Sequence, residues 1–514
     1  MSYKNFIITL LSSTFLLYTL TILDFLSIGS NLYLQSSHNI KLENFNMMVF
    51  TVTTIISQII YGGLSNLQAG VCGGAIFESA SMVRNIHETC ELYTTNTTES
   101  LSNAFFAVMI STLIFGLFSY FLGCLKMGSF FSYIPRSALF GVMTSIGYNL
   151  MKDGFSQVYE EKALFTSYIS MAVIIFLVIL AYFLEKKFEG YVFFIPLYTC
   201  TVLILFYSIF LPFGFNLSWL RSNFLVPEIS TGNISVSEFT KYLSLSVINK
   251  KLLFKLIPKI LGLSLVNMIH ITVNIPSFSS CMKINSNINR EFKVQGIANI
   301  FTGLFGYPTY FINCTSIYFN KSGGTTKMHS LLSGLFLIGL IFIGPMSRQI
   351  LPRILLAFIP VYMGGAFVIS NLLEHIFVAS YIDISIILLS TIIGIYNPIL
   401  GLICGSLYQL LIFYISLKIS NNEYEELNEY YKKIQKNYKM VKIDFPACFI
   451  NKEKLKKNLK IESNKILIDM RNCQYIDYEG NEMILEIIRN MEGEVLMIGD
   501  PINLYKEKFR SVLI

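Results

Sequence analysis

The chain has 514 residues, 53% of them hydrophobic and only 14% charged. Soluble domains carry about a quarter charged residues, so this composition excludes a soluble globular protein and marks a multi-pass membrane protein. The formal charge of +7 is modest, with lysines scattered among acids. That leaves no nucleic-acid footprint, and basic residues at bilayer edges account for it.

The nine cysteines (Cys72, Cys90, Cys124, Cys200, Cys281, Cys314, Cys404, Cys448 and Cys473) are dispersed, with no CxxC or Cys/His spacing. They read as small apolar fillers, not a metal site or a disulfide frame. No nucleophile–base pair appears either, so neither an enzyme nor a metal or other cofactor is expected.

In chain order, apolar runs near 6–30, 45–63, 104–124, 133–151, 167–184 and 191–211 are long enough to cross roughly 30 Å of hydrocarbon as helices. The first lacks a small-residue cleavage site and is a retained span rather than a signal peptide. Further long runs lie near 257–276, 330–349, 351–370, 376–394 and 397–418. Shorter, Gly-broken pieces fall near 68–84, 294–306 and 310–320. Together these give about fourteen spans. The polar stretch 212–256 separates a first repeat (1–215) from a second (250–420), about seven spans each. An odd number per half puts the halves in opposite orientation, the arithmetic of an inverted-repeat transporter.

The stretch "FTGLFGYPTYFINCTSIYFNKSGG" (301–324) breaks the pattern of an ordinary span. Gly303, Gly306 and Pro308 interrupt it, and Thr309, Asn313, Thr315 and Ser316 follow. It occupies the third span of its half, matching the Gly-rich "LQAGVCGGAIFESASMVRNI" (67–86) in the first. Paired interruptions of this kind point to a midplane site. At 1.5 Å per residue, 310–320 covers only about 16 Å, so its first turn starts inside the membrane. The free N–H groups and positive dipole end of that turn suit an anion or polar ligand. The competing reading is a packing kink satisfied by neighbouring helices.

Single residues sharpen this. Asp24 inside an apolar span costs at least about 2.5 kcal/mol, so it faces protein or cavity, as a functional group or as an acceptor for a nearby N–H. Glu78 is a weaker case of the same kind. His270 titrates near neutral pH or is simply a hydrogen-bonded core residue. Asn274 lies four residues on, hence on the same helix face. Asn313, Thr315 and Ser316 line the site, cap the half-helix, or both.

After 418 the character changes. Residues 421–440 read as a charged helical linker, and 441–514 as a small α/β unit. In it, "KIDFPACFIN" is an expected strand, "KILIDM" a buried strand, "GNEMILEIIRNME" an amphipathic helix and "EVLMIGD" another strand.

Several motifs carry a family resemblance. "LDFLSIG" (23–29), "TIISQIIYG" (54–62), "FFSYIPRSALFGVMTSIGYNL" (130–150), "MIHITVNIP" (268–276), "REFKVQGIANIFTGLFG" (290–306) and "NCTSIYFNKSGGTTK" (313–327) follow in the order seen in SulP-type sulfate permeases, specifically their fungal-type branch. "KILIDMRNCQYIDYEGNEMILEII" resembles the core of a STAS domain through Asp469, Ile476, Asp477 and Gly480.

The resemblance implies a fold like that of the uracil permease. It has fourteen spans in two inverted seven-helix repeats, with a cytosolic, shortened STAS domain over 441–514. It places substrate between two half-helix N-termini, with help from the first and eighth spans. Carried over, the site comprises Asp24, Ser27, Gly73, Gly74, Glu78, His270, Asn274, Tyr310, Asn313, Thr315 and Ser316. Two departures matter. Many relatives carry an arginine where this chain has Ser316, and a dianion beside an ionised carboxylate is repelled by several kcal/mol. Either the acids hold a proton, or the substrate is not a simple dianion. In the STAS loop "DYEG", Asp477 and Gly480 remain, but Glu479 stands where antagonist proteins carry a phosphorylatable serine.

The expected activity is secondary transport of inorganic, sulfate-like anions, proton-coupled if the acids exchange protons. The alternatives are carriage of another polar solute, such as an amino acid across an organelle membrane, and a non-transporting scaffold that displays a STAS domain. The expected partners are a small anionic or polar solute, protons, the lipid bilayer and a second copy in a homodimer. The expected location is the plasma membrane or a vacuole-like endomembrane, with both termini cytosolic.

Overall fold

The structure is a computed structural model. It describes residues 3–27, 29, 40–67, 70–74, 77–94, 96–128, 134–160, 163–188, 191–227, 245–284, 286–377, 379–419, 439–458, 465–470, 473, 475–490 and 494–498. The linker expected over 421–440 falls almost wholly outside them.

The first half contains α1 (Tyr3–Ser27), α2 (Ile40–Leu64), β1 (Cys72–Gly73), α3 (Phe77–Tyr93), α4 (Thr97–Cys124), α5 (Arg136–Ser156), α6 (Leu164–Lys187) and α7 (Phe194–Phe210). A short α8 (Leu217–Ser222) follows. The second half contains α9 (Lys250–Met282), α10 (Ile288–Gly303), β2 (Tyr310–Phe311) and α11 (Asn313–Lys321). Next, α12 (Lys327–Phe336) runs through one 3-10 turn into α13 (Leu340–Arg348), and α14 (Arg353–Val368) through a π turn into α15 (Glu374–Ile376). Two more spans, α16 (Tyr381–Tyr396) and α17 (Pro398–Ile419), complete it.

Nine helices among the described residues are long and apolar enough to cross a membrane. α6 shows why lipid is their solvent: Phe165, Tyr168, Phe176 and Phe183 stand exposed along it, an arrangement water would penalise. The break expected over 294–306 is displaced. α10 runs unbroken to Gly303, and the interruption comes after it. Hydropathy missed the first turns because Arg290, Glu291 and Lys293 lie there. Asn287 caps them by accepting from the Arg290 N–H (3.3 Å).

Contacts divide the chain into two units: 1–131 with 147–366, and 132–146 with 367–514. In the first, α4 and α10 meet backbone to backbone. A Cβ on Gly296 would lie 2.6 Å from the Tyr120 nitrogen, and one on Gly116 2.8 Å from the Ile300 nitrogen. Small residues thus permit close approach where lipid supplies no hydrophobic drive between helices. Around them, Leu17, Tyr61, Phe115, Phe278, Phe292 and Phe319 form one buried cluster.

The second unit pairs α16 with α17 and includes the first turns of α5. Ser380 caps α16, accepting from the Asp383 N–H (3.1 Å), while Ser137 Oγ donates to Asp383 Oδ1 (2.8 Å). Its C-terminal part is a parallel sheet of β3 (Lys439–Lys442), β4 (Lys465–Asp469) and β5 (Glu494–Ile498), in that order. Two helices, α18 (Lys452–Asn458) and α19 (Tyr478–Asn490), accompany it. Val441, Ile443, Ile466, Ile468 and Ile484 fill its core. The strand expected over 442–451 instead ends at Lys442. Pro446 lacks the N–H that continued pairing needs, and only an isolated bridge from Ala447 to Ile476 follows.

Candidate functional site

Gly306 adopts φ +75°, a left-handed conformation that favours glycine. The chain turns there, leaves α10 and enters β2. β1 and β2 then pair antiparallel, Cys72 opposite Phe311 and Gly73 opposite Tyr310. β2 leads through Ile312 into the half-helix α11, whose first turn therefore begins beside the ribbon, and α3 begins at Phe77, four residues after β1.

Irregular backbone at this depth must be satisfied internally, and side chains do it. The Cys72 N–H donates to Gln58 Oε1 (2.8 Å), and Gln58 Nε2 donates to the Ser330 carbonyl (3.0 Å). The Thr309 N–H donates to Asn299 Oδ1 (2.8 Å), and Asn299 Nδ2 to the Thr309 carbonyl (2.7 Å). One amide side chain from α2 and one from α10, the second helix of each half, thus brace the two breaks in the same manner. Nothing in the sequence pattern had marked Gln58 or Asn299 as braces. The only signal was an amide side chain within each helix.

A tight cleft opens at this ribbon. It holds about 10 Å³, room for about one water, between Leu17, Thr21 and Asp24 of α1, Phe50, Thr54 and Gln58 of α2, Val71, Cys72 and Gly73, and Ile312 and Thr315 at the start of α11. Leu17, Thr21 and Asp24 recur at helical spacing, so one face of α1 forms a wall. Of the expected site residues, Asp24, Gly73 and Thr315 meet here. Gly74 lies at its edge, its N–H donating to Thr54 Oγ1 (3.1 Å). Asp24 is the one charged side chain among the described residues of the lining.

The other expected residues stand behind the ribbon. His270, 1% exposed, stacks on Tyr310, their ring centroids 4.7 Å apart at 13°. Asn274 Nδ2 donates to the Phe311 carbonyl (3.0 Å). Ser316 Oγ accepts from the Val71 N–H (2.9 Å) and donates to the Ile312 carbonyl (2.6 Å). Asn313 Nδ2 donates to Ser277 Oγ (3.0 Å), while its buried Oδ1 has no hydrogen-bond partner among the described residues. The side chains of Ser27 and Glu78 lie outside the described residues.

Two polar clamps were not anticipated. Arg84 on α3 forms a buried ion pair with Asp153 on α5. Glu185 on α6 accepts from Tyr318 of α11 (3.4 Å) and from Tyr362 of α14. Each half-helix is thereby fastened to a helix outside the ribbon.

In the C-terminal unit, Asp477 Oδ1 accepts from the Gly480 N–H (2.8 Å), and Oδ2 from the Phe449 N–H (2.9 Å) and Gln409 Nε2 (3.2 Å). Burial still pushes its carboxyl up to about 7. Only glycine fits at Gly480, where a Cβ would lie 2.0 Å from the Ala447 oxygen. Glu479 is 2% exposed and lies 3.4 Å from Arg136 Nε at the start of α5. A charged position that the sequence presents as a loop residue is thus buried against a membrane helix of its own unit.

Two broken helices back to back, braced in the same way in each half, define a multi-pass helical membrane protein with the inverted-repeat transporter fold. Residues 11–161 and 153–390 match the Sulfate permease family, and the chain belongs to it. It is 23% identical, over 436 residues and 79% of its length, to the vacuolar basic amino acid transporter VSB1 of Saccharomyces cerevisiae. The chain spans 41% of that relative's length. Among solved structures, it resembles the transmembrane domain of a cyanobacterium bicarbonate transporter, BicA, with a TM-score of 0.59 at 16% identity. That likeness covers 78% of this chain and 98% of that one. It also resembles the murine Slc26a9 anion transporter in its inward-facing state, with a TM-score of 0.58 at 13% identity, over 98% of this chain and 87% of that one. These likenesses show a shared fold.

Proposed function

We propose that this chain is a secondary transporter whose solute carries both a carboxylate and a cationic group, as a basic amino acid does. The carrying observation is Asp24, alone as a charged side chain among the described residues lining the cleft. The first turns of α3 and α11 offer N–H groups to the carboxylate. Asp24 offers acceptors to the cation. With Ser316 committed to the ribbon, no arginine opposes such a solute. The likeness to a vacuolar basic amino acid transporter supports the reading and favours an endomembrane location. Asp24 also serves as the group that exchanges a proton when the solute leaves.

Family membership and two electropositive half-helix ends favour a second reading, an inorganic anion carried together with a proton on Asp24. In either case the C-terminal unit is a STAS-like domain on the cytosolic side, with both termini there and a homodimer as the assembly. Uptake of labelled arginine, lysine, sulfate and oxalate into proteoliposomes across a pH gradient separates the readings. Saturable arginine or lysine flux upholds the first, and sulfate or oxalate flux alone upholds the second. Flux of none of them overturns both.

A further inference from the structure

A second cavity, of about 590 Å³, lies away from the transport cleft, where α2 and α4 end and α10 begins. Its rim carries three cations, Lys126, Arg290 and Lys293, from two different elements. Arg290 Nη2 donates to the Leu64 carbonyl (3.3 Å), which ties the guanidinium to the end of α2 and leaves further N–H donors on it. A Cβ on Gly123 would lie 2.7 Å from Lys293 Cγ, so the glycine leaves room for the Lys293 stem beside α4. The acid nearest in sequence, Glu291, does not neutralise this rim. It is fully buried and turned into the core, where it accepts from Tyr61 Oη (2.6 Å) and Ser65 Oγ (2.7 Å). Below the cations the wall becomes apolar, with Val294 and Ile297 one turn further along α10.

We propose that this cavity binds a phosphorylated anion. Three cations lining one cavity match a phosphate group bearing more than one negative charge. Their place at the ends of membrane helices is where headgroups lie. The source favoured by the apolar lower wall is a phosphorylated lipid such as a phosphatidylinositol phosphate, its acyl chains running down α10. A free polyphosphate shares the headgroup chemistry but not the use of that wall. The site is independent of the transported solute.

The test uses the full chain in detergent, followed by thermal unfolding. It is titrated with dioctanoyl phosphatidylinositol phosphate, with dioctanoyl phosphatidylcholine and with free inositol bisphosphate. A saturable rise in Tm with the phosphorylated lipid, absent with phosphatidylcholine, is expected. Arg290→Gln combined with Lys293→Gln weakens that affinity about ten-fold or more. Lys126→Gln, on the loop after α4, supplies the same readout if the double variant does not purify. Affinity at least ten-fold higher for the lipid than for inositol bisphosphate upholds the site as a lipid site, and equal affinity upholds it as a soluble-phosphate site. No saturable rise with either phosphorylated ligand, the same rise with phosphatidylcholine, or affinity unmoved in the variants overturns the proposal.

Discussion

Cys72 lies directly opposite Phe311 in a two-residue antiparallel ribbon, so residues far apart in sequence bring two half-helices to one seam. A ribbon this short has almost no ladder of its own. Its persistence depends on side chains that take the place of absent strands and water.

Gln58 is the test of that dependence. Gln58→Leu strips a partner from the Cys72 N–H and from the Ser330 carbonyl, both buried. Each orphaned buried group costs about 1–3 kcal/mol, so a drop of several degrees in Tm is expected in detergent. An unchanged Tm means the ribbon is held otherwise.

Asn313 behaves differently. Its Oδ1 is buried without a hydrogen-bond partner among the described residues, so a leucine there removes an unsatisfied acceptor. Asn313→Leu is expected to leave Tm unchanged or raised. Thermal unfolding of the purified variant in detergent reads this out, and a Tm lowered by several degrees contradicts it.

Glu185 ties α11 to α6 and α14 through Tyr318 and Tyr362. If transport moves the half-helices against those helices, these bonds must break in each cycle. Glu185→Gln keeps the shape and weakens charge-assisted bonds. It is expected to change the maximal flux several-fold with little effect on half-saturation. A change in half-saturation alone contradicts the clamp role.

Asp477 predicts a pH dependence of the C-terminal unit. Burial holds its proton up to about pH 7 when folded, whereas an unfolded aspartate loses it near 4. Between those values the folded state binds more protons, so stability falls as pH rises from about 4 to about 7 and then levels off. The size is a few kcal/mol, at about 1.4 kcal/mol per unit. Hydrogen exchange of β4 amides in the full chain, corrected for intrinsic rates, is expected to show weaker protection at pH 8 than at pH 5. Equal protection contradicts the shift.

Much of this was legible in the sequence, for identifiable reasons. Gly306 and Pro308 announced the second break because a glycine and a proline two residues apart weaken the helical ladder, and Asp24 announced itself by the cost of its setting. His270 and Asn274 lie four residues apart on one helix, but periodicity does not say what they meet, and they meet Tyr310 and Phe311 of β2. Thr315 and Ser316 are adjacent and so point about 100° apart, one into the cleft and one onto the ribbon. Only three-dimensional pairing separates their roles. Gln58 and Asn299 stayed hidden because an amide within a helix names no partner. Glu479 was hidden for a related reason: its burial against Arg136 is a long-range contact.

The central claim is that solute binds between the starts of α3 and α11 against the Asp24 carboxylate. Flux of labelled arginine in proteoliposomes, compared between the native protein and Asp24→Asn at matched folded yield, tests it most directly. The account predicts that the variant loses both concentrative uptake and its response to a pH gradient. Uptake and pH response equal to those of the native protein would contradict it.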